Sequence, residues 1–189
     1  MKIDKLGDEM RTKNKRNDTM RLFIAIEFEE EILQALTKLQ LEWKVLGVRG
    51  NFTPAHNLHL TLAFIGEYGN PTAVLEAMNS VPLIPFSVQL DGIGSFRDLY
   101  WVGLKKNEVL TNYVSRLRRA LAEHGIPYDR KKFSPHVTLV RKAEFNGSME
   151  QLLKNPPAGE MEVLSVSLMS STRGKSGMIY TKVGGVEAD

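Results

Sequence analysis

The sequence predicts an α+β fold of two similar lobes, each an antiparallel sheet with flanking helices, related by pseudo-two-fold symmetry about a central cleft. Two observations predict this fold. The short motif His-x-Thr-Leu occurs twice, beginning at His59 and at His136. Around each motif, the apolar pattern follows one order: strand, long helix, motif strand, short helix, strand. A repeated order of elements carrying a repeated motif indicates a duplicated unit, with two sheets facing each other across a cleft.

The first half begins with a strand over 21–28, followed by an amphipathic helix over 29–46 whose apolar residues recur at helical spacing. Asn70 and Pro71 then have the residue types preferred at the cap and at the first position of a helix. The remaining predicted elements of this half are a motif strand over 58–66, a short helix from Pro71 and a strand over 86–90.

The second half repeats this order. Its long helix ends before Gly125, a residue that readily adopts the left-handed backbone found at helix ends. The apolar residues predicted to face inward from this helix are Leu110, Val114, Leu117 and Leu121. The predicted elements are a strand over 99–104, a helix over 108–123, a motif strand over 134–141, a short helix over 149–154 after Ser148, and strands over 161–170 and 178–183.

The domain organisation follows from these elements. Residues 20–186 are expected to form one interleaved bilobal domain, because the strand that closes one lobe can come from the far end of the chain. Residues 1–19 are polar and charged and show no periodic apolar positions. This composition predicts a flexible N-terminal extension.

The two motifs place an imidazole beside a hydroxyl on one face of each strand. Side chains alternate between the faces of a strand, so His59 shares a face with Thr61, and His136 shares a face with Thr138. Two groups that exchange protons near neutral pH, together with two hydroxyl donors, favour acid-base chemistry on a phosphodiester. Strict alternation predicts that the opposite, apolar faces carry Leu60, Leu62, Phe64, Val137 and Leu139.

The composition narrows the class of protein. The 189 residues include no cysteine, which excludes disulfides, thiolate metal sites and cysteine nucleophiles. No apolar run is long enough to cross a bilayer, and the N-terminus lacks the apolar core of a signal peptide, so the expected location is the cytoplasm. The net charge of +3 is modest. Residues 1–19 carry six basic and four acidic groups, so the rest of the chain is close to neutral. A pocket for one strand end therefore fits better than a surface coating long nucleic acid.

Three segments resemble a known family. The opening MRLFIAIEF, the segment NLHLTLAFIGE and the segment FSPHVTLVR look like those of the 2H phosphoesterases. Within that superfamily they resemble the RNA 2′,3′-cyclic phosphodiesterases, once described as bacterial and archaeal 2′-5′ RNA ligases. The resemblance runs from about residue 20 to residue 180 and includes both motifs.

The resemblance implies a fold, an activity and roles for the motif residues. The fold is the two-lobed one already predicted. The activity is metal-independent hydrolysis of a 2′,3′-cyclic phosphate, at an RNA end or on a nucleotide, to a 2′-phosphate. His59 would give a proton to the leaving 3′ oxygen, and His136 would act as the base on water. No cofactor, no metal and no membrane partner are expected, and the protein is expected to act as a monomer.

The sequence also favours these roles over a metal site. Zinc needs three or four ligands, and the other two histidines, His56 and His124, are poorly placed to supply them. The hydroxyls of Thr61 and Thr138 are instead predicted to donate to non-bridging phosphate oxygens, where charge develops in the transition state.

Three further residues are candidates for substrate binding. Arg141 ends the second motif strand, where the resembling family often has arginine, yet strict alternation points it away from His136; a phosphate contact and a surface ion pair both remain open. Arg130 belongs to a basic run before the second motif and is placed to meet RNA backbone. Phe52 is a candidate for stacking on a base. Other aromatic candidates for stacking are Tyr100, Trp101 and Phe133.

Two alternative functions remain open at this stage. A 2′-5′ RNA ligase would use the same residues with a 5′-hydroxyl in place of water. A nucleotide- or RNA-binding module would keep the pocket without turnover, although both histidines and both threonines are intact.

Overall fold

The computed structural model describes residues 19–155 and 157–188, which fold into strands and helices in the predicted α+β order. The predicted extension over 1–19 lies outside the described residues, apart from Thr19. The strands are β1 (Met20–Glu27), β2 (Arg49–Phe52), β3 (His59–Tyr68), β4 (Phe86–Phe96), β5 (Leu99–Leu104), β6 (His136–Glu144), β7 (Glu160–Val163), β8 (Ser165–Gly174) and β9 (Gly177–Glu187). The helices are α1 (Glu30–Val45), α2 (Pro71–Asn79), α3 (Glu108–Glu123) and α4 (Met149–Leu152), with a 3₁₀ turn at Ala55–Asn57.

The strands form two antiparallel sheets that exchange elements between the halves of the sequence. One sheet has the order β3-β1-β8-β9 and the other the order β2-β6-β5-β4-β7. The last two strands of the chain therefore complete the sheet that contains the first motif, and β2 from the first half pairs with β6, the second motif strand. The motif strands β3 and β6 lie in contact. The predicted two-lobed fold with duplicated antiparallel sheets is confirmed.

Both long helices bury one face against a continuous apolar core. Side chains from both sheets and from α1 and α3 belong to this core. The inward face predicted for the second long helix is confirmed, because all four residues predicted to face inward are buried. Among the helices of the described residues, none is long and apolar enough to span a bilayer. The fully or almost fully buried helix residues are Ile32, Leu36, Leu39, Trp43, Leu110, Val114, Leu117 and Leu121.

The predicted strand over 161–170 is wrong in one respect, because it is two strands in different sheets. β7 pairs with β4, whereas β8 pairs with β1, and the chain crosses between the sheets at Leu164, which is 48% exposed. Apolar and polar residues alternate on both sides of this crossing, so the pattern is also that of one strand with a single irregularity. The sequence prediction also missed β2, whose residues Arg49–Phe52 show no apolar alternation and are mostly exposed.

Each motif strand contains a β-bulge at the same distance from its histidine. In β3, Thr61 and Ala63 pair with two consecutive residues of β1, so Leu62 between them has no partner residue. In β6, Thr138 and Val140 pair with two consecutive residues of β5, so Leu139 has no partner residue. A bulge inserts one extra residue and so reverses the alternation beyond it. Two consecutive side chains are buried at each bulge, namely Leu62 and Ala63 in β3 and Leu139 and Val140 in β6.

The reversed alternation corrects the prediction for Phe64. Strict alternation placed Phe64 on the apolar face with Leu62, but it packs on the other face of the sheet, with Phe23 and Met169. Arg141 is the fifth residue after His136, as Phe64 is the fifth residue after His59. The bulge in β6 likewise places Arg141 on the same face of the strand as the motif histidine.

Candidate active site

The two motif histidines are held in the same way and present the same ring nitrogen. Nδ1 of His59 lies 2.8 Å from the backbone oxygen of Asn57, and Nδ1 of His136 lies 2.7 Å from the backbone oxygen of Ser134. A carbonyl oxygen only accepts hydrogen bonds, so each Nδ1 carries the proton and donates it. Nε2 of each ring is therefore left for proton transfer to or from another group.

His59 lies in an aromatic setting. Its ring centroid is 4.9 Å from that of Phe23 and 5.2 Å from that of Tyr180, which meets it edge-on. Its Nε2 is 3.0 Å from Oγ1 of Thr61, so the hydroxyl predicted to share its face is within hydrogen-bond distance. The first motif thus brings an imidazole nitrogen and a hydroxyl to one point.

Burial is the main cause that lowers the pKa of His59 below its usual value. The hydrogen bond to Asn57 and the carboxylate of Glu27 oppose this shift, because both stabilise the imidazolium form. Positive charge on Arg141 and on His136 lowers the pKa of His59 further. In the absence of substrate, the neutral form of His59 is favoured.

His136 lies against a different set of rings. The exposed ring of Phe96 meets it nearly perpendicularly, with centroids 5.2 Å apart, and the ring of Trp101 lies 6.1 Å away. Trp101 is also the β5 residue opposite Thr138. Each motif histidine therefore lies against two aromatic rings.

A cavity of about 540 Å³ opens beside His59, and its charged lining is mostly cationic. Arg21, Arg141 and Arg173 line it together with one acidic residue, Glu67. Within residues 19–155 and 157–188, none of these three arginines forms an ion pair. Three guanidinium groups against one carboxylate favour an anionic ligand, and guanidinium matches phosphate geometry well. The other lining residues are Phe23, His59, Thr61, Phe64, Ser171, Met178 and Tyr180.

The cavity brings together several of the predicted site residues. Thr61 and Arg141 line it with His59, and the bulge in β6 explains why Arg141 faces this way despite its place in the alternation. His136 and Thr138 are not among its lining residues; they lie on β6, at the side of the cavity to which Arg141 belongs.

Phe52 and Arg130 lie farther from the histidines. Phe52 lines a neighbouring groove, which shares Arg141 and Tyr180 with the cavity, and its ring lies under Lys44 Nζ at 4.6 Å. Arg130 sits 5.9 Å from the ring of Tyr128 and lines neither the cavity nor the groove. The structure thus places Phe52 beside the candidate site and does not bring Arg130 to it.

The sequence analysis missed Arg21, Arg173 and Tyr180, which come from β1, β8 and β9. A signal was present, because Arg21 is two residues from Phe23 and Arg173 is two residues from Ser171, so each shares a strand face with another lining residue. What the sequence did not supply was the order of the strands, which places β8 beside β1 and β9 beside β8.

No obvious metal centre accompanies these groups. In the part of the chain that the structure describes, no three His, Asp or Glu side chains cluster in a way that could hold a metal ion. The chemistry available at the site is proton transfer by two imidazoles, with hydroxyl donors and guanidinium groups for an anion.

The chain matches a family model and several curated proteins. The model, described as the 2′-5′ RNA ligase superfamily, matches residues 28–175. The RNA 2′,3′-cyclic phosphodiesterase of Aquifex aeolicus is 31% identical over 179 residues, which cover 87% of this chain and 95% of that protein. The enzyme of the same name from Archaeoglobus fulgidus is 29% identical over 172 residues, covering 85% of this chain and 96% of the relative.

Solved structures of similar proteins share the fold. The crystal structure of E. coli LigT complexed with 3′-AMP superposes with a TM-score of 0.76 at 26% identity, covering 90% of this chain and 99% of LigT. The crystal structure of TT0787 of Thermus thermophilus gives a TM-score of 0.74 at 28% identity, covering 89% of this chain and 97% of that one. These matches confirm the family expected from the two motifs.

The lowered pKa of His59 predicts a pH dependence of folding stability. The unfolded chain holds a proton on this ring up to about pH 6.5, whereas the folded chain releases it at lower pH, so the unfolded state binds more protons in the window just below about pH 6.5. Stability should therefore fall as pH decreases through this window. We expect urea unfolding of His59→Gln to show a smaller loss than wild type between about pH 7.5 and about pH 5. An equal loss in both proteins would contradict the lowered pKa.

Proposed function

This chain belongs to the 2′-5′ RNA ligase superfamily, and from that membership and its paired histidines we propose that it is an RNA 2′,3′-cyclic phosphodiesterase. The observation that carries the proposal is the matched geometry of His59 and His136. In each ring, Nδ1 donates a hydrogen bond to a backbone oxygen, which leaves Nε2 for proton transfer. The cationic cavity beside His59 supports an anionic substrate. The relatives that bear this enzyme name cover nearly the whole of both chains, which supports the same activity here.

The proposed reaction is the addition of water to the cyclic phosphate with loss of the 3′ oxygen. His136 Nε2 takes a proton from water as the water oxygen bonds to phosphorus. The bond between phosphorus and the 3′ oxygen breaks, and His59 Nε2 gives its proton to that oxygen. The products are a 3′-hydroxyl and a 2′-phosphate. The two histidines end with exchanged protonation states, which solvent restores before the next turnover.

The donor role of His59 requires that the substrate reverse the effect of burial. Burial favours the neutral ring in the empty site, whereas a donor must begin protonated. A bound phosphodiester brings a negative charge next to the imidazole and favours its protonated form. The hydrogen bond to Asn57 and the carboxylate of Glu27 act in the same direction. The site is thus arranged to protonate His59 when the anion arrives.

The remaining groups bind the phosphate. The hydroxyls of Thr61 and Thr138 donate to the non-bridging oxygens, and Arg141 neutralises charge as it builds up on them. A nucleotide carrying a phosphate, 3′-AMP, is bound in the similar structure of LigT, which supports a nucleoside phosphate as the ligand class. All of these groups lie on one chain, so one protomer can supply the whole site, and a monomer acting on an RNA end or a nucleotide is proposed.

Product analysis tests the reaction. An oligoribonucleotide ending in a 2′,3′-cyclic phosphate should be converted to a 2′-phosphate in the presence of EDTA, because two imidazoles supply both proton transfers. Enzymatic removal of the terminal phosphate, combined with chromatography against 2′- and 3′-phosphate standards, identifies the product. His59→Ala and His136→Ala should each slow hydrolysis by about 10²–10⁴-fold.

His124→Ala is the matched control for these variants. The ring of His124 bonds the backbone oxygen of Ala120 at the end of α3, away from the cavity, so its removal should leave the rate nearly unchanged. Activity that EDTA abolishes and added divalent metal restores would rule out the two-histidine mechanism. A 5′-hydroxyl RNA added at high concentration tests the reverse reaction, since joined product would indicate ligation.

The two threonines provide a separate test of phosphate binding. Thr61→Val and Thr138→Val keep the β-branched shape and delete the hydroxyl, so both variants should fold while turnover falls by roughly 10²-fold for a well-aligned donor. Thr181→Val is the control, because Thr181 is an exposed strand residue outside the cavity lining. Circular dichroism establishes folding, and steady-state kinetics measure the loss. Full activity in either folded motif variant would assign that threonine a purely structural role.

A further inference from the structure

Each motif bulge leaves a backbone oxygen that is bound by a side chain from a long helix of the other half of the sequence. The first case is Gln40 of α1, which is 5% exposed. Its Nε2 donates to the backbone oxygen of Leu139, the bulged residue of the second motif strand, at 2.9 Å. The same nitrogen donates to the backbone oxygen of Thr53 at 2.8 Å. Thr53 lies in the segment that leads into the first motif strand.

The second case is Arg118 of α3. Its Nε and Nη2 donate to the backbone oxygen of Leu62, the bulged residue of the first motif strand, at 3.1 and 3.0 Å. Its Nη1 donates to the backbone oxygen of Lys131 at 2.8 Å. Lys131 lies in the segment that leads into the second motif strand. The guanidinium also lies 5.6 Å from the ring of Phe133, in that same segment.

The two arrangements are equivalent in position. Gln40 is the tenth residue after Glu30, the first residue of α1, and Arg118 is the tenth after Glu108, the first residue of α3. Each side chain joins the bulge of one motif strand to the segment leading into the other. Both therefore connect the two halves that carry His59 and His136. The two halves of the sequence thus have, at the same helix position, a side chain that donates two or more hydrogen bonds, although the residue type differs.

We propose that Gln40 and Arg118 are positioning residues, which hold the two bulges and thereby fix the cleft groups that follow them. The proposal rests on the proposed function only for its kinetic consequence. Beyond the bulge in β6, the alternation is reversed, and Arg141 faces the cavity because of that reversal. In β3 the same reversal brings Phe64 to the cavity. Loss of a bulge moves the following side chain to the opposite face of its strand.

The hydrogen bonds explain why the bulges need side-chain donors. A bulged residue drops out of the ladder, so its polar groups need another partner. The oxygen of Leu139 has the backbone nitrogen of Thr53 at 2.8 Å in addition to Gln40. The oxygen of Leu62 receives two hydrogen bonds from Arg118, one from Nε and one from Nη2.

A double-mutant cycle between Gln40→Met and Arg141→Ala tests the proposal. Methionine keeps the length of glutamine and removes both donated hydrogen bonds. If Gln40 holds Arg141 in place, Gln40→Met should lower kcat/KM for cyclic phosphate hydrolysis by about 10- to 100-fold, as expected for a small misplacement of a binding group. Adding Arg141→Ala to Gln40→Met should then lower kcat/KM little further. In the Arg118→Met background, Arg141→Ala should lower kcat/KM by the same factor as in the wild-type protein, because Arg118 holds the other bulge.

A purely structural role for Gln40 predicts a different result. If Gln40→Met only lowers stability, Arg141→Ala should reduce kcat/KM by the same factor with and without Gln40→Met. That outcome would overturn the proposal. Gln34→Met is the control on the same helix, because Gln34 is exposed and bonds only Glu30 among the described side chains; it should leave kcat/KM unchanged. If Gln40→Met fails to fold, Gln40→Asn, one methylene shorter and unable to reach both oxygens, takes its place in the cycle.

A crystal structure of the Gln40 variant tests the geometry whatever the substrate of the enzyme. The proposal expects a changed pairing at Leu139 and Arg141 withdrawn from the cavity. An unchanged bulge with Arg141 in place would overturn it. A displaced Arg141 in a protein whose wild type does not hydrolyse a cyclic phosphate would instead refute the proposed function and keep the positioning role.

Discussion

Side-chain alternation along the two motif strands, reversed in each by a bulge three residues after the histidine, is the constraint on which the site depends. Alternation places each histidine beside its threonine, and the bulge returns the fifth residue after the histidine to the same face. That residue is Phe64 in one strand and Arg141 in the other. Both bulged oxygens are held by helices of the opposite half. Catalytic geometry and the packing of α1 and α3 are therefore linked through a few backbone hydrogen bonds.

The two lobes are alike in framework and differ in what faces the motif threonine on the neighbouring strand. Ala25 faces Thr61 in one sheet, whereas Trp101 faces Thr138 in the other. The methyl group of Ala25 is fully buried, whereas the indole of Trp101 lies 6.1 Å from the ring of His136. Gly94 permits this, since a Cβ there would lie 2.3 Å from the Trp101 ring. The two sides of the pseudo-symmetric cleft therefore differ, and the cationic cavity lies on the His59 side.

The fold class, the long helices and the motif pairs could be predicted from the sequence, because helical periodicity and strand alternation are local signals. The bulges could not, since they are set by the partners Ile24, Ala25, Tyr100 and Trp101 on neighbouring strands. For the same reason Phe64 was placed on the wrong face, and the orientation of Arg141 stayed open. The break at Leu164 and the contributions of Arg21 and Arg173 depend on strand order, which is a property of the whole chain.

The pH dependence of hydrolysis tests the two-histidine account most directly. One imidazole must begin neutral and the other protonated, so kcat/KM should be bell-shaped, with both limbs in the imidazole range. The limbs belong to the coupled pair, and the assignment to His59 and His136 comes from the limb that each single variant loses. A rate that rises steadily to about pH 10 without a fall would point to hydroxide as the nucleophile and would contradict the account, even if both histidines proved essential.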